Sequence, residues 1–175
     1  MNSDSVLWQA QWIGRPGVTM VSWQAEVLPA PFLRHEFILD AAIEVARLHI
    51  CGLGYYELFI NGAKVGNHVL DPVVSQYDRR VRYVTYDVSE QLQTGANAIG
   101  VILGNGWYNC HTAEVWHFDK ASWRDYPKLL LQLEMVLADG TERTICSGPD
   151  WKVGQGPILF DALRNGETYD ARQER

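Results

Sequence analysis

Cysteine is scarce in this sequence: Cys51, Cys110 and Cys146 are the three in 175 residues. An odd number at wide spacing builds no disulfide framework and matches no zinc pattern. Cys51 and Cys146 lie in strand-like runs and read as buried small hydrophobes. Basic charge is also short, with 15 Lys and Arg against 21 Asp and Glu, a net charge of −6. A duplex nucleic-acid binder needs a clustered cationic face to neutralise phosphates. That class is set aside, while a neutral ligand such as a sugar is untouched by the argument. No apolar run approaches the roughly 18 residues of a membrane-spanning helix, so no membrane partner is expected. The opening MNSDSVLWQAQWIG has no basic segment followed by an apolar stretch, so no signal peptide is visible and the default expectation is a cytoplasmic chain.

Catalytic signatures are missing as well. There is no G-x-S-x-G, no S-x-x-K and no H-E-x-x-H, which removes the familiar serine and zinc hydrolase patterns. The histidines stand at 35, 49, 68, 111 and 117, and only His111 and His117, on either side of Trp116, are close in sequence. A lone loop pair is more often incidental than a transition-metal site. GLGYY and LGNGWY are not followed by a helix, so they lack the dipole and the N–H array that hold a phosphate. No internal repeat or low-complexity linker is present.

What is present suits one globular domain with a real core: 47% apolar and 21% charged residues. Aromatics reach 11%, with seven Trp and eight Tyr. Such rings favour strands and core packing. Exposed indoles that stack on sugar faces are the functional alternative.

The pattern along the chain is short strands parted by turn signals. Residues 1–31 are an irregular arm carrying Trp8, Trp12 and Trp23, with one short strand near Gln11–Ile13, and pack on a sandwich that spans 32–163. PFLRHEFIL is the first long strand, apolar on both faces. Glu44–Cys51 alternates as a strand, although DAAIEVA also admits a short helix. Gly52 and Gly54 mark a bulge or a close backbone approach. Tyr55–Gly66 is a hairpin, because Asn61-Gly62 accepts the positive φ values of a type I′ turn. Arg82–Val88 is a strand, and Asp87-Val88-Ser89-Glu90 has the form of a capping box that opens one helical turn through Leu92. Asn97–Leu103 is a buried strand. Pro127–Leu137 puts Leu129, Leu131, Leu133, Met135 and Leu137 on one face and Lys128, Gln132 and Glu134 on the other. Asp139-Gly140 turns into Thr141–Ser147, and short strands follow at Asp150–Val153 and Ile158–Phe160. Residues 164–175 are polar without hydrophobic period, a connection to something further. The expectation is an all-β, antiparallel β-sandwich of jelly-roll (galactose-binding-like) type with one or two short helical turns.

Two regions could carry function. The segment 104–126 is long, and loops of that length are functional or disordered. Its Trp107, Tyr108, Trp116, Phe118, Trp123 and Tyr126 argue against disorder. It is a ligand-binding or docking surface, or else a hydrophobic plug over one end of the sandwich. Glycoside hydrolysis needs two carboxyl groups roughly 5 to 9.5 Å apart across a cleft. Asp71, Asp78, Asp161, Glu167 and Asp170 are candidates that sequence cannot pair, and most such groups are solvated surface.

Three stretches in order carry a family likeness: GLGYYELFINGAKVGNHVLDP, RVRYVTYDVSEQLQTGANAIGVILGNGWY and GPILFDALRNGETYDAR, preceded by W-x-A-x-W-I at Trp8–Ile13. Together the sequence resembles the N-terminal β-sandwich of bacterial α-L-rhamnosidases, glycoside hydrolase family 78, over nearly its whole length. The resemblance implies a parent enzyme that removes terminal α-L-rhamnose from plant glycosides and polysaccharides with inversion. Its catalytic acids lie in an (α/α)6 barrel outside this chain, so no catalytic residue is assigned here. The chain is then a non-catalytic accessory module whose partners are the C-terminal domains of the parent and, as ligands, rhamnose-containing glycans. In some relatives the sandwich binds rhamnose through calcium. No cofactor is required by the accessory role, and calcium enters only through this likeness. By the same resemblance Asn105, Trp107, Tyr108, Asp161, Asn165 and Glu167 are the carbohydrate-binding candidates. Asn105, Asp161 and Asn165 offer hard oxygens suited to calcium, and Trp107 a stacking face. Turn chemistry beside glycine is the other reading of the two asparagines. The string Val73-Val74-Ser75-Gln76-Tyr77 departs from the Gly-Trp-Thr-Asp-Tyr expected of the family. Two further readings are a self-sufficient calcium-dependent carbohydrate-binding module and a small glycosidase.

Overall fold

The structure is a computed structural model that describes residues 6–20, 26–113 and 115–174. One antiparallel sheet contains β1 (Ile13–Gly14), β3 (Ile43–Leu53), β6 (Val84–Asp87), β8 (Lys128–Leu137) and β9 (Glu142–Cys146). β8 is its centre: β3 runs along one side, with Leu48 opposite Leu133 and Ile50 opposite Leu131, while β1 and β9 share the other. The second sheet runs β10 (Lys152–Gln155), β2 (Pro31–Leu39), β7 (Gly95–Gly104), β4 (Tyr55–Ile60), β5 (Ala63–Lys64). A separate ribbon pairs β11 (Ile158–Ala162) with β12 (Gly166–Tyr169).

Period-two alternation puts one face of each sheet in the core. Leu33 and Leu39 of β2, Leu58 and Ile60 of β4, and Ile99, Val101 and Leu103 of β7 meet Leu48, Ile50, Leu129, Leu131 and Leu133 of the other sheet. Each of these is at most 2% exposed. The chain crosses between sheets after β1, β2, β3, β5, β6, β7 and β9. The result is the antiparallel jelly-roll type of sandwich that the strand spacing anticipates.

The hairpin at 55–66 forms as the Asn-Gly signal demands, with Asn61 at φ 51 and Gly62 at φ 83. DAAIEVA is not helical, since Ala46 and Leu48 are wholly buried in β3. The turn expected after Asp87 forms, and three other sequence expectations need correction. The capping box at Asp87 gives a single turn: Asp87 Oδ1 accepts from Ser89 N and Oγ, and Gln91 N–H reaches Val88 O. No helix follows, because the Asn97 side chain takes both the N–H and the carbonyl of Gln93. The short helical turns lie instead at Phe118–Lys120 and Ala171–Gln173. β2 carries apolar residues on both faces but buries only one in the core, with Ile38 63% exposed on the other. Gln132, expected on a polar outer face, is fully buried, because the arm lies over it and its amide bonds Gln9 N–H and Leu7 O. The polar stretch 164–175 contains a strand, β12, whose four residues are all exposed and so leave no hydrophobic period.

Candidate functional site

The junction where β3 turns into β4 brings the glycine-rich segments together. Gly54 sits at φ +101, and a Cβ there would stand 2.1 Å from Gly104 O, so only glycine fits. This close approach fixes the end of β7, and Asn105, the next residue, points at the β11–β12 ribbon. Asn105 N–H donates to Asp161 Oδ1 at 2.7 Å, and its Nδ2 donates to Asp161 Oδ2 at 3.1 Å and Asp161 O at 3.0 Å. Asn109 Nδ2 donates to Asn105 Oδ1 at 2.7 Å, and Arg124 Nε donates to Asn109 Oδ1 at 3.1 Å. Arg124 Nη1 reaches Asp119 O at 2.7 Å. A polar chain therefore runs from the ribbon through both ends of the long loop. Asn105 and Asn109 are buried, so each bond replaces lost hydration. Burial pushes the Asp161 carboxyl above its usual value. The Asn105 N–H opposes that rise, and the Glu167 charge adds to it.

The remaining predicted residues surround this link. Glu167 is the register partner of Asp161 across the ribbon and is exposed. Asn165, at the ribbon's turn, accepts a hydrogen bond from Thr112 Oγ1. The Trp107 ring packs edge-on against Phe118 at 5.4 Å, with the Arg164 guanidinium 5.8 Å from its centroid. Tyr108 turns inward against Tyr77 at 5.2 Å, and burial pushes its phenol up to about 12. Phe118 and Tyr77 both contact Trp123. Trp116 touches Phe118 from outside and is 61% exposed. The loop thus caps one end of the sandwich with its own rings, leaving Trp116 exposed and Trp107 half-buried. Tyr77 OH, Trp123 Nε1 and Asp119 Oδ1 are buried without a hydrogen-bond partner.

Asn105, Asp161 and Asn165 do not make a calcium cage as placed. Asn105 Oδ1 is taken by Asn109, both Asp161 oxygens by Asn105, and Asn165 Oδ1 by Thr112. A calcium ion asks for six to eight oxygens. Among the described residues no three His, Cys, Asp or Glu side chains stand together as a metal set. His111 packs edge-on against Phe160, and burial, then the Arg124 charge, lowers its pKa. Asp71 and Asp170 hold structural positions. Asp71 accepts from His68 and Tyr86, and Asp170 holds the turn at Arg172.

Sequence reasoning missed Asn109, Arg124 and Arg164. Asn109 and Arg124 lie fifteen residues apart in one irregular loop, and no spacing rule pairs them. Arg164 lies in a turn whose partner strand showed no hydrophobic period.

With this geometry in hand, comparison with known proteins is informative. The family model for the α-L-rhamnosidase N-terminal domain matches residues 41–175. An α-L-rhamnosidase of Formosa agariphila is 44% identical over 155 residues, 86% of this chain and 16% of that protein. The crystal structure of Streptomyces avermitilis α-L-rhamnosidase complexed with L-rhamnose superposes with a TM-score of 0.77 at 44% identity, covering 83% of this chain and 14% of that one. Native α-L-rhamnosidase from Aspergillus terreus superposes at 0.85 with 36% identity, covering 95% and 19%. This chain therefore spans less than a fifth of the length of each of these proteins.

Proposed function

Because this chain belongs to the α-L-rhamnosidase N-terminal domain family, we propose that it is a non-catalytic accessory module of an α-L-rhamnosidase, supporting the part of the enzyme that hydrolyses terminal α-L-rhamnosides. The observation that carries this reading is coverage. High identity runs along most of the chain while accounting for 14–16% of relatives that act as whole enzymes. The carboxylates support it. Asp161 and Glu167 are neighbours across a two-stranded ribbon, and Asp161 has both oxygens bonded by Asn105. A general acid or nucleophile needs an oxygen free to meet the glycosidic bond.

Sugar binding is the second reading, favoured by Trp107 and Trp116. These indoles are held by Phe118 at the rim of the loop, Trp116 exposed and Trp107 half-buried. L-rhamnose is the first sugar to try, since it is the ligand of the Streptomyces avermitilis complex. Two assays test the two readings. The purified chain should release no nitrophenol from nitrophenyl α-L-rhamnoside above the buffer rate, and measurable turnover would overturn the non-catalytic reading. Calorimetric titration with millimolar L-rhamnose, with and without calcium, should show heat that Trp107→Ala abolishes. No heat in either condition removes sugar binding and leaves the accessory role standing.

A further inference from the structure

The segment 69–83 is not part of the candidate sugar site, yet among the described residues it shows the largest concentration of exposed apolar side chains. Val69 is 70% exposed, Leu70 58%, Val73 58% and Val74 42%. Mobility is not the reason. Asp71 O accepts from Tyr56 N–H, its carboxylate accepts from His68 and Tyr86, Pro72 is buried, and Tyr77 is wedged against Tyr108 and Trp123. A loop pinned at both ends this way holds its outward side chains in place. Leu70 takes a left-handed backbone at φ 59, a conformation a leucine avoids unless the surroundings impose it. Strain held to keep an aliphatic side chain in water points to a surface that water does not cover in the working protein.

Charge lies beside the valines. Ser75 Oγ donates to Arg80 O at 2.6 Å, and Arg79 and Arg80 N–H both reach Gln76 O, so the chain folds back and brings Arg80 to Ser75, the residue that follows Val74. Arg79, Arg80 and Arg82 are exposed, and among the described residues none of them is in a salt bridge. An apolar centre with an arginine rim is the anatomy of a protein interface. On a chain of net charge −6, such a rim selects an acidic partner surface. A second copy fits poorly, because a two-fold contact lays the same patch on itself and sets arginine against arginine. Valine and leucine also offer a sugar neither a ring face nor a hydrogen bond.

We propose that residues 69–82 form the docking surface for the remaining α-L-rhamnosidase polypeptide, meeting an apolar area with an acidic rim. The proposal rests on the accessory-module reading. The test titrates the chain calorimetrically into the polypeptide that follows it in its own reading frame, produced separately, with hydrogen exchange measured on the complex. The expected result is a one-to-one complex with slowed exchange over 69–82. V73S/V74S should weaken it at least tenfold, and R79E/R80E likewise, with a shallower salt dependence. Leu70→Gly provides a variant that folds at least as well, since glycine accepts φ 59, and it too should bind more weakly. Full-affinity binding by V73S/V74S, or protection elsewhere, overturns the proposal. So does a dimer of the chain alone that V73S/V74S dissolves, because a second copy would then be the occupant. Nitrophenol release by the following polypeptide is read in the same preparation. An active rhamnosidase that ignores this face sinks the docking proposal alone, whereas a following polypeptide without that activity both alone and with the chain restored sinks the accessory reading.

Discussion

Asn105 carries more of this structure than its size suggests. Its backbone and side chain supply all three hydrogen bonds to Asp161, and its own carbonyl oxygen is satisfied by Asn109. Asn105→Ala keeps the backbone bond and removes the side-chain ones. Those bonds oppose the rise that burial imposes on Asp161, so the variant should move the Asp161 titration midpoint further up, read from its carboxyl carbon shift by NMR. The variant should also cost about 1–3 kcal/mol in denaturant unfolding, because the buried Asn109 amide loses its acceptor. A midpoint that falls, or no loss of stability, would contradict this account. The sequence pointed to Asn105 and Asp161 through family likeness and to their oxygens as possible metal ligands. That the two would bond to each other was not legible, since 56 residues separate them and neither lies in a periodic segment.

Elements were easier to read where a side-chain rule decides them. Asn61-Gly62 fixes a hairpin because only residues tolerant of positive φ close it, and β8 shows itself by alternation. Alternation fails at Gln132 because it records which face is apolar, not what later covers the polar one. The arm uses that glutamine as its anchor, with Gln9 N–H donating to Oε1 at 2.7 Å and Nε2 donating to Leu7 O at 3.0 Å. Gln132→Ala should therefore release the arm while leaving the sheets intact. The Gln9 and Ala10 amides should exchange faster by an order of magnitude or more, with β3 and β7 amides unchanged. Uniformly faster exchange would instead mean that Gln132 supports the whole sheet. The ribbon strand β12 escaped the sequence reading for the converse reason: all four of its residues face water, so it has pairing without pattern.

At the scale of the whole molecule, several exposed carboxylates are held below their usual range. A hydrogen bond from Lys152 and the Arg34 charge lower Glu36, Ser89 lowers Asp87, Thr141 lowers Asp139 and Arg172 lowers Asp170. A depressed folded-state pKa contributes stability above the ordinary carboxylate value and loses it as pH falls through the depressed one. Asp161 has the opposite sign, because its raised pKa favours the folded state below the ordinary value and that contribution fades as pH rises through the folded pKa. Thermal midpoints should hence fall below about pH 4. In Asp161→Asn the rising limb of stability with pH should start lower and be steeper, since the opposing group is gone. An unchanged profile would mean that Asp161 ionises in the folded chain as it does in the unfolded one.

The β11–β12 ribbon lies outside both sheets and is tied back by Ala30 N–H on Ile158 O, by Asn105 on Asp161 and by Thr112 on Asn165. Mechanically it is a lever with its fastening at the aromatic loop. A load applied along β12 passes through Asp161 to Asn105, the residue that joins the end of β7 to the aromatic loop. The ribbon and the loop are thereby coupled at a single asparagine, and bending one should be felt in the other.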